Sequence, residues 1–77
     1  MEIKVMIFGQ LTDIVNSNMI TLTDIADTNN LVNVLKRQYP LLNQAKYIIA
    51  VDKQTVTENT TLKDGSTVAL LPPFSGG

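Results

Sequence analysis

Neither cysteine nor histidine occurs among the 77 residues, so the chain has no disulfide framework and lacks the commonest metal ligand. That absence weighs heavily at this size, because so short a domain buries only about 60–65% of the surface its unfolded chain exposes. Folding must therefore rest on aliphatic packing. Leu, Ile, Val and Phe supply roughly a third of the chain, above the level of about 20% below which disorder is the better expectation. The same absence removes the usual general base and the thiol nucleophile, which counts against most enzyme activities.

The formal net charge is -1, with acidic and basic residues interspersed. No basic stripe points to nucleic acid or an anionic membrane. The longest apolar stretch falls far short of the ~20 residues that span a bilayer. Met1-Glu2-Ile3-Lys4 has no signal-peptide pattern. A soluble, cytoplasmic protein is expected.

Residues 2–8 alternate, with Ile3, Val5 and Ile7 on one face and Lys4, Met6 and Phe8 on the other; this period of two, rich in β-branched residues, predicts a strand. Gly9 breaks it. Leu11, Ile14 and Val15 then follow helical spacing over residues 10–16, and Asn16-Ser17-Asn18 is a turn cluster before a second strand from Met19 to Leu22. The best helix spans about residues 28–39, capped by Asp27 or Thr28. It carries Leu31, Val32, Leu35 and Tyr39 on one stripe and Asn33, Lys36 and Arg37 opposite. Pro40 disfavours helical backbone at Tyr39 and ends it. Residues 46–51 predict a third strand, 54–56 a short return after the Asp52-Lys53 turn, and 67–71 the last strand after Lys63-Asp64-Gly65-Ser66. Val68-Ala69-Leu70-Leu71 is apolar throughout, as in a central strand covered on both sides. One long helix against a mostly local sheet predicts a two-layer α+β domain over residues 1–71.

Beyond Leu71 the sequence runs Pro72-Pro73-Phe74-Ser75-Gly76-Gly77. Two prolines cannot extend a central strand and stiffen the exit toward polyproline II. Residues 72–77 are therefore expected to form an extended tail with a slim tip. Gly76 has no side chain and would pass a channel too narrow for other residues, bringing the carboxylate of Gly77 to the end of that channel. A carboxylate, with a pKa of ~3.5, is ionised at neutral pH and is a poor electrophile. Coupling to AMP makes it attackable by sulfur, and the product is a terminal thiocarboxylate. None of this needs a catalytic side chain on the carrier. A Gly-Gly end alone is a weak signal and is often a frayed tail; its size, strand placement, Pro-Pro stiffener and terminal position together favour a working one.

Leu70-Leu71-Pro72-Pro73-Phe74-Ser75-Gly76-Gly77 closely resembles the C-terminal motif of molybdopterin synthase small subunits, a family of sulfur carriers. Lys63-Asp64-Gly65 followed by Val68-Ala69 resembles that family's last turn, and Val5 to Phe8 its first strand. Ser66, Phe74 and Asp52 depart from the usual acidic residue, valine and asparagine, and none touches the terminal glycines. The resemblance implies a ubiquitin-like β-grasp, a mixed sheet packed on one main helix. It implies that an E1-like enzyme consumes ATP to adenylate Gly77, and that a sulfurtransferase relay converts it to the thiocarboxylate. The large subunit of molybdopterin synthase would then receive the tail in a heterotetramer, and sulfur would pass to cyclic pyranopterin monophosphate on the pathway to the molybdenum cofactor. The large subunit would supply the catalytic groups, leaving this chain as a non-catalytic sulfur donor with no cofactor and no metal of its own.

For partner binding, Phe8, Leu71, Pro72, Pro73, Phe74 and Ser75 are the candidates. Phe8 and Leu71 are expected to meet on the sheet face away from the helix, either as an exposed interface or beneath the segment around residues 52–62. Tyr39 and Tyr47 read as core. Asp24 and Asp27 read as turn and cap residues, being too sparse for a metal site, and Lys36-Arg37 as a solvated helix face. Thr57 to Thr61 carries no phosphate-binding pattern. Three other functions remain open: sulfur carriage for the thiazole of thiamine, a ubiquitin-like protein modifier joined through Gly77, and a plain interaction module.

Overall fold

Alternation sets the first strand. In the computed structural model, which describes residues 1–73, β1 (Glu2–Ile7) turns Ile3, Val5 and Ile7 inward and leaves the residues between them exposed. A short helix α1 (Leu11–Val15) follows, closed by Asn16 in the left-handed conformation, and β2 (Met19–Thr23) returns antiparallel to β1. The main helix α2 (Thr28–Gln38) crosses the sheet and leads to β3 (Ile48–Val51), β4 (Gln54–Val56) and β5 (Thr67–Leu71). Every predicted element is present, with ends moved by one or two residues.

The strand order is β2-β1-β5-β3-β4. The first and last strands of the sequence pair in parallel, Lys4 with Thr67 through Ile7 with Leu70, while the other neighbours are antiparallel. The sheet is therefore mixed and packs on one main helix, the β-grasp arrangement. Its core joins Ile3, Val5, Val68 and Leu70 to Leu31 and Leu35 of α2, all at most 1% exposed. Burying a side chain of this size contributes about 1.5–3 kcal/mol, so this layer is the main source of stability in a chain without cross-links.

One expectation is extended by the structure and another corrected. Pro40 does end α2, but it also opens a 3₁₀ helix (Pro40–Gln44), because a missing N–H and a fixed φ suit the first helical position. That turn drives Leu42 into the core at 1% exposure. β5 is central, as expected, lying between β1 and β3. It is covered on one side only: Val68 and Leu70 are buried, whereas Thr67, Ala69 and Leu71 are half-buried on the other face, which no described element crosses. The continuous apolar run reflects one face packed within the chain and a second that the described residues leave uncovered.

Candidate functional site

The face of the sheet away from α2 is assembled by register. Met6 pairs with Met19 on one side and Ala69 on the other, and Ala69 pairs in turn with Ala50. One step further along, Leu71 pairs with Ile48, and the same register carries Phe8 alongside Leu71; the Phe8 N–H donates to the Leu70 carbonyl at 3.1 Å. Phe8, Met6 and Met19 are 41%, 37% and 46% exposed. Such a row of adjoining large apolar side chains is what an interface presents before its partner arrives.

The segment around residues 52–62 does not roof this face. It borders it. Asp52 and Lys53, both at positive φ, form the two-residue turn between β3 and β4, of the primed kind that matches strand twist. Asp52 is tied to β5 twice: its N–H donates to the Thr67 carbonyl at 2.8 Å, and its Oδ1 accepts from the Thr67 N–H at 3.0 Å. The turn thereby makes one wall of a shallow hollow whose other walls are Met6, Phe8, Thr67 and Ala69.

Where β5 ends, the chain meets the corner between β1 and α1. Gly9 has φ +59°, and Pro72 occupies the space that a side chain there would need: its Cγ lies 2.8 Å from where a Cβ would stand. Pro72 is half-buried and Pro73 exposed. The structure thus brings Phe8 and Leu71 to one face, with Pro72 beside them at the end of the sheet but seated on Gly9. Phe74, Ser75, Gly76 and Gly77 lie outside the described residues.

Other candidates resolve as structural parts. Of the two possible caps, Asp27 fills the role, its Oδ1 accepting from the Asn30 N–H at 2.9 Å. Thr28 is buried and accepts through Oγ1 from the Thr60 N–H at 2.9 Å. Asn59 Oδ1 accepts from the Asn29 N–H, so the polar stretch 57–61 fastens the start of α2. Asp24 sits in a turn at φ 59°. Tyr39 and Tyr47 pack half-buried against the core, and burial pushes the Tyr47 phenol above its ordinary value. Arg37 is exposed and Lys36 half-buried. Met19 and Ile48 were not singled out from sequence, although strand parity and the pairing of β2 with β1 would have placed Met19 beside Met6.

Comparison with known proteins agrees with this geometry. The ThiS family matches residues 5–77. The molybdopterin synthase sulfur carrier subunit of Chlamydomonas reinhardtii is 32% identical, with all of both chains covered. A chain in the complex of subunits 1 and 2 of molybdopterin-converting factor from Helicobacter pylori superposes with a TM-score of 0.75 at 28% identity, again covering all of both chains. Small archaeal modifier protein 1 of Methanosarcina acetivorans superposes at 0.83 over 99% of this chain and 96% of its own; at 22% identity that likeness is one of fold.

Proposed function

The chain belongs to the ThiS family, and from that premise we propose that it is a sulfur carrier, the small subunit of molybdopterin synthase, with the carboxylate of Gly77 as its working group. The observation that carries this reading is the junction of two features at one end of the sheet. Phe8 and half-buried Leu71 lie on an apolar face that the described residues leave open, and Pro72-Pro73 follows at the same end of the sheet. A large subunit that covers the face would be positioned to accept the tail in its own active site, as the paired subunits of the Helicobacter pylori factor suggest by likeness.

In this reading an E1-like enzyme transfers AMP from ATP to the Gly77 carboxylate and releases pyrophosphate. A persulfide on the sulfurtransferase relay then attacks the acyl carbon and AMP leaves, and a thiol reduces the resulting acyl disulfide, releasing the thiocarboxylate and leaving a disulfide behind. In the heterotetramer the thiocarboxylate sulfur is donated to cyclic pyranopterin monophosphate, and hydrolysis returns the carboxylate. The chain binds no cofactor or metal for these steps.

The test is an intact-mass measurement after incubation with ATP, the activating enzyme and a sulfur donor. Replacement of one oxygen by sulfur at the tail is expected, followed by its loss when the large subunit and pyranopterin are added. A chain lacking Gly77 should fold normally and carry no sulfur; sulfur delivery by that chain overturns the proposal.

A further inference from the structure

We propose that Gly9 is a positioning residue for sulfur transfer: it seats the ring of Pro72 and so sets the direction in which the tail leaves the domain. This rests on the sulfur-carrier reading of Gly77. Gly9 stands at the corner between β1 and α1, and its surroundings are fixed on both sides. The Phe8 N–H is bonded to the Leu70 carbonyl at 3.1 Å. The Gly9 carbonyl accepts from the Thr12 N–H at 3.2 Å and from Thr12 Oγ1 at 2.8 Å.

Backbone conformation alone does not explain a glycine here. Asn16, Asp24, Asp52 and Lys53 all adopt φ between 48° and 73° in this chain with side chains in place. What separates Gly9 from them is the ring against it. Pro72 Cγ, Cδ and Cβ lie 2.8, 3.4 and 3.7 Å from the position a Cβ would take. A flexible side chain could swing aside from such a clash. A proline ring can yield only by its pucker, because its Cδ is bonded to the backbone nitrogen and the ring holds φ. A side chain at position 9 therefore presses on the ring, and what a change of ring pucker does not relieve falls on the main chain where the tail begins. Gly65 provides an internal contrast: its φ is +85°, yet no atom lies within 4 Å of its missing Cβ.

Direction matters because a reacting atom displaced by about 1 Å can lose roughly 100-fold in rate. The three atoms nearest the missing Cβ all belong to Pro72 and none to Met6 or Leu71, so the change should act on delivery more than on docking. The experiment compares Gly9→Ala, Gly65→Ala, Pro72→Ala and the Gly9→Ala/Pro72→Ala double variant in the full chain. Each is first loaded to completion as thiocarboxylate, checked by intact mass, and then assayed for sulfur transfer with the large subunit and cyclic pyranopterin monophosphate.

Gly9→Ala is expected to lower kcat by about tenfold or more, with KM for the carrier little changed. Gly65→Ala shares the backbone penalty and is expected to transfer at the wild-type rate. The double variant should transfer no worse than the poorer single variant, since both changes break one contact. Wild-type kcat for Gly9→Ala, or losses that multiply in the double variant, overturn the inference. Should Gly9→Ala not fold, Pro72→Ala decides: loss of kcat with an unchanged unfolding midpoint supports the seat, and wild-type kcat overturns it. Failure of the underlying reading shows differently, as a wild-type chain that never acquires sulfur or a chain lacking Gly77 that still delivers it.

Discussion

At the scale of single residues, Phe8 and Tyr47 show how position gives aromatic side chains opposite duties. Phe8 lies outside the packed layer, 41% exposed, and makes no part of the core. Phe8→Ala should therefore leave the thermal midpoint within a few degrees of wild type. In the complex, however, a buried aromatic anchor contributes about 2 kcal/mol or more, so titration calorimetry with the large subunit should show Kd rising roughly 30-fold. Tyr47 packs half-buried against the core, and burial disfavours its charged form. The folded chain holds that proton more tightly than the unfolded chain, whose phenol titrates near ~10. Its contribution is thus complete below that pH and is lost as pH rises above it. Denaturation followed from pH 9 to 11 (about one unit either side of that value) should show a steeper loss of stability in wild type than in Tyr47→Phe.

At the scale of elements, α2 shows how a helix is started and stopped by its neighbours. Asp27 satisfies the Asn30 N–H, an amide with no partner inside the helix; Asp27→Ala should lower stability by about 1 kcal/mol in urea denaturation. Most of this was legible in the sequence. Ile3, Val5 and Ile7 declare β1 by period, and Leu31 and Leu35 declare the buried stripe of α2. Phe8 and Leu71 could be placed on one face from strand parity, given the neighbouring of β1 and β5 that the family resemblance implies. What was not legible came from residues whose role depends on tertiary company. Pro40 has the same local chemistry whether it ends a helix or begins the next, and Leu42 becomes core only because a 3₁₀ turn follows. Whether anything covered the outer face depended on where residues 52–62 ran, which their own polar sequence leaves open. The close approach of Pro72 to Gly9 joins positions far apart in the chain, and only the parallel pairing of β1 with β5 brings them together.

At the scale of the whole molecule, β5 is the strand on which the sheet depends. It lies between β1 and β3 and contributes Val68 and Leu70, both at 0% exposure. A chain ending at Leu71 should retain the circular dichroism and cooperative unfolding of the full chain. A chain ending at Ser66 should lose both, because β1 and β3 would face each other across an empty place in the sheet. Parallel pairing also separates the start of β1 from the end of β5. Glu2 begins β1 beside the turn that precedes β5, its N–H bonded to Asp64 Oδ1 at 2.7 Å, while Leu71 finishes at the opposite edge. The two edges stand about 17 Å apart for strands of this length. Affinity handles, fluorophores or immobilisation chemistry attached ahead of Met1 would accordingly sit at the far pole from the end of β5. A surface-tethered version should stay open to its enzymes without a spacer.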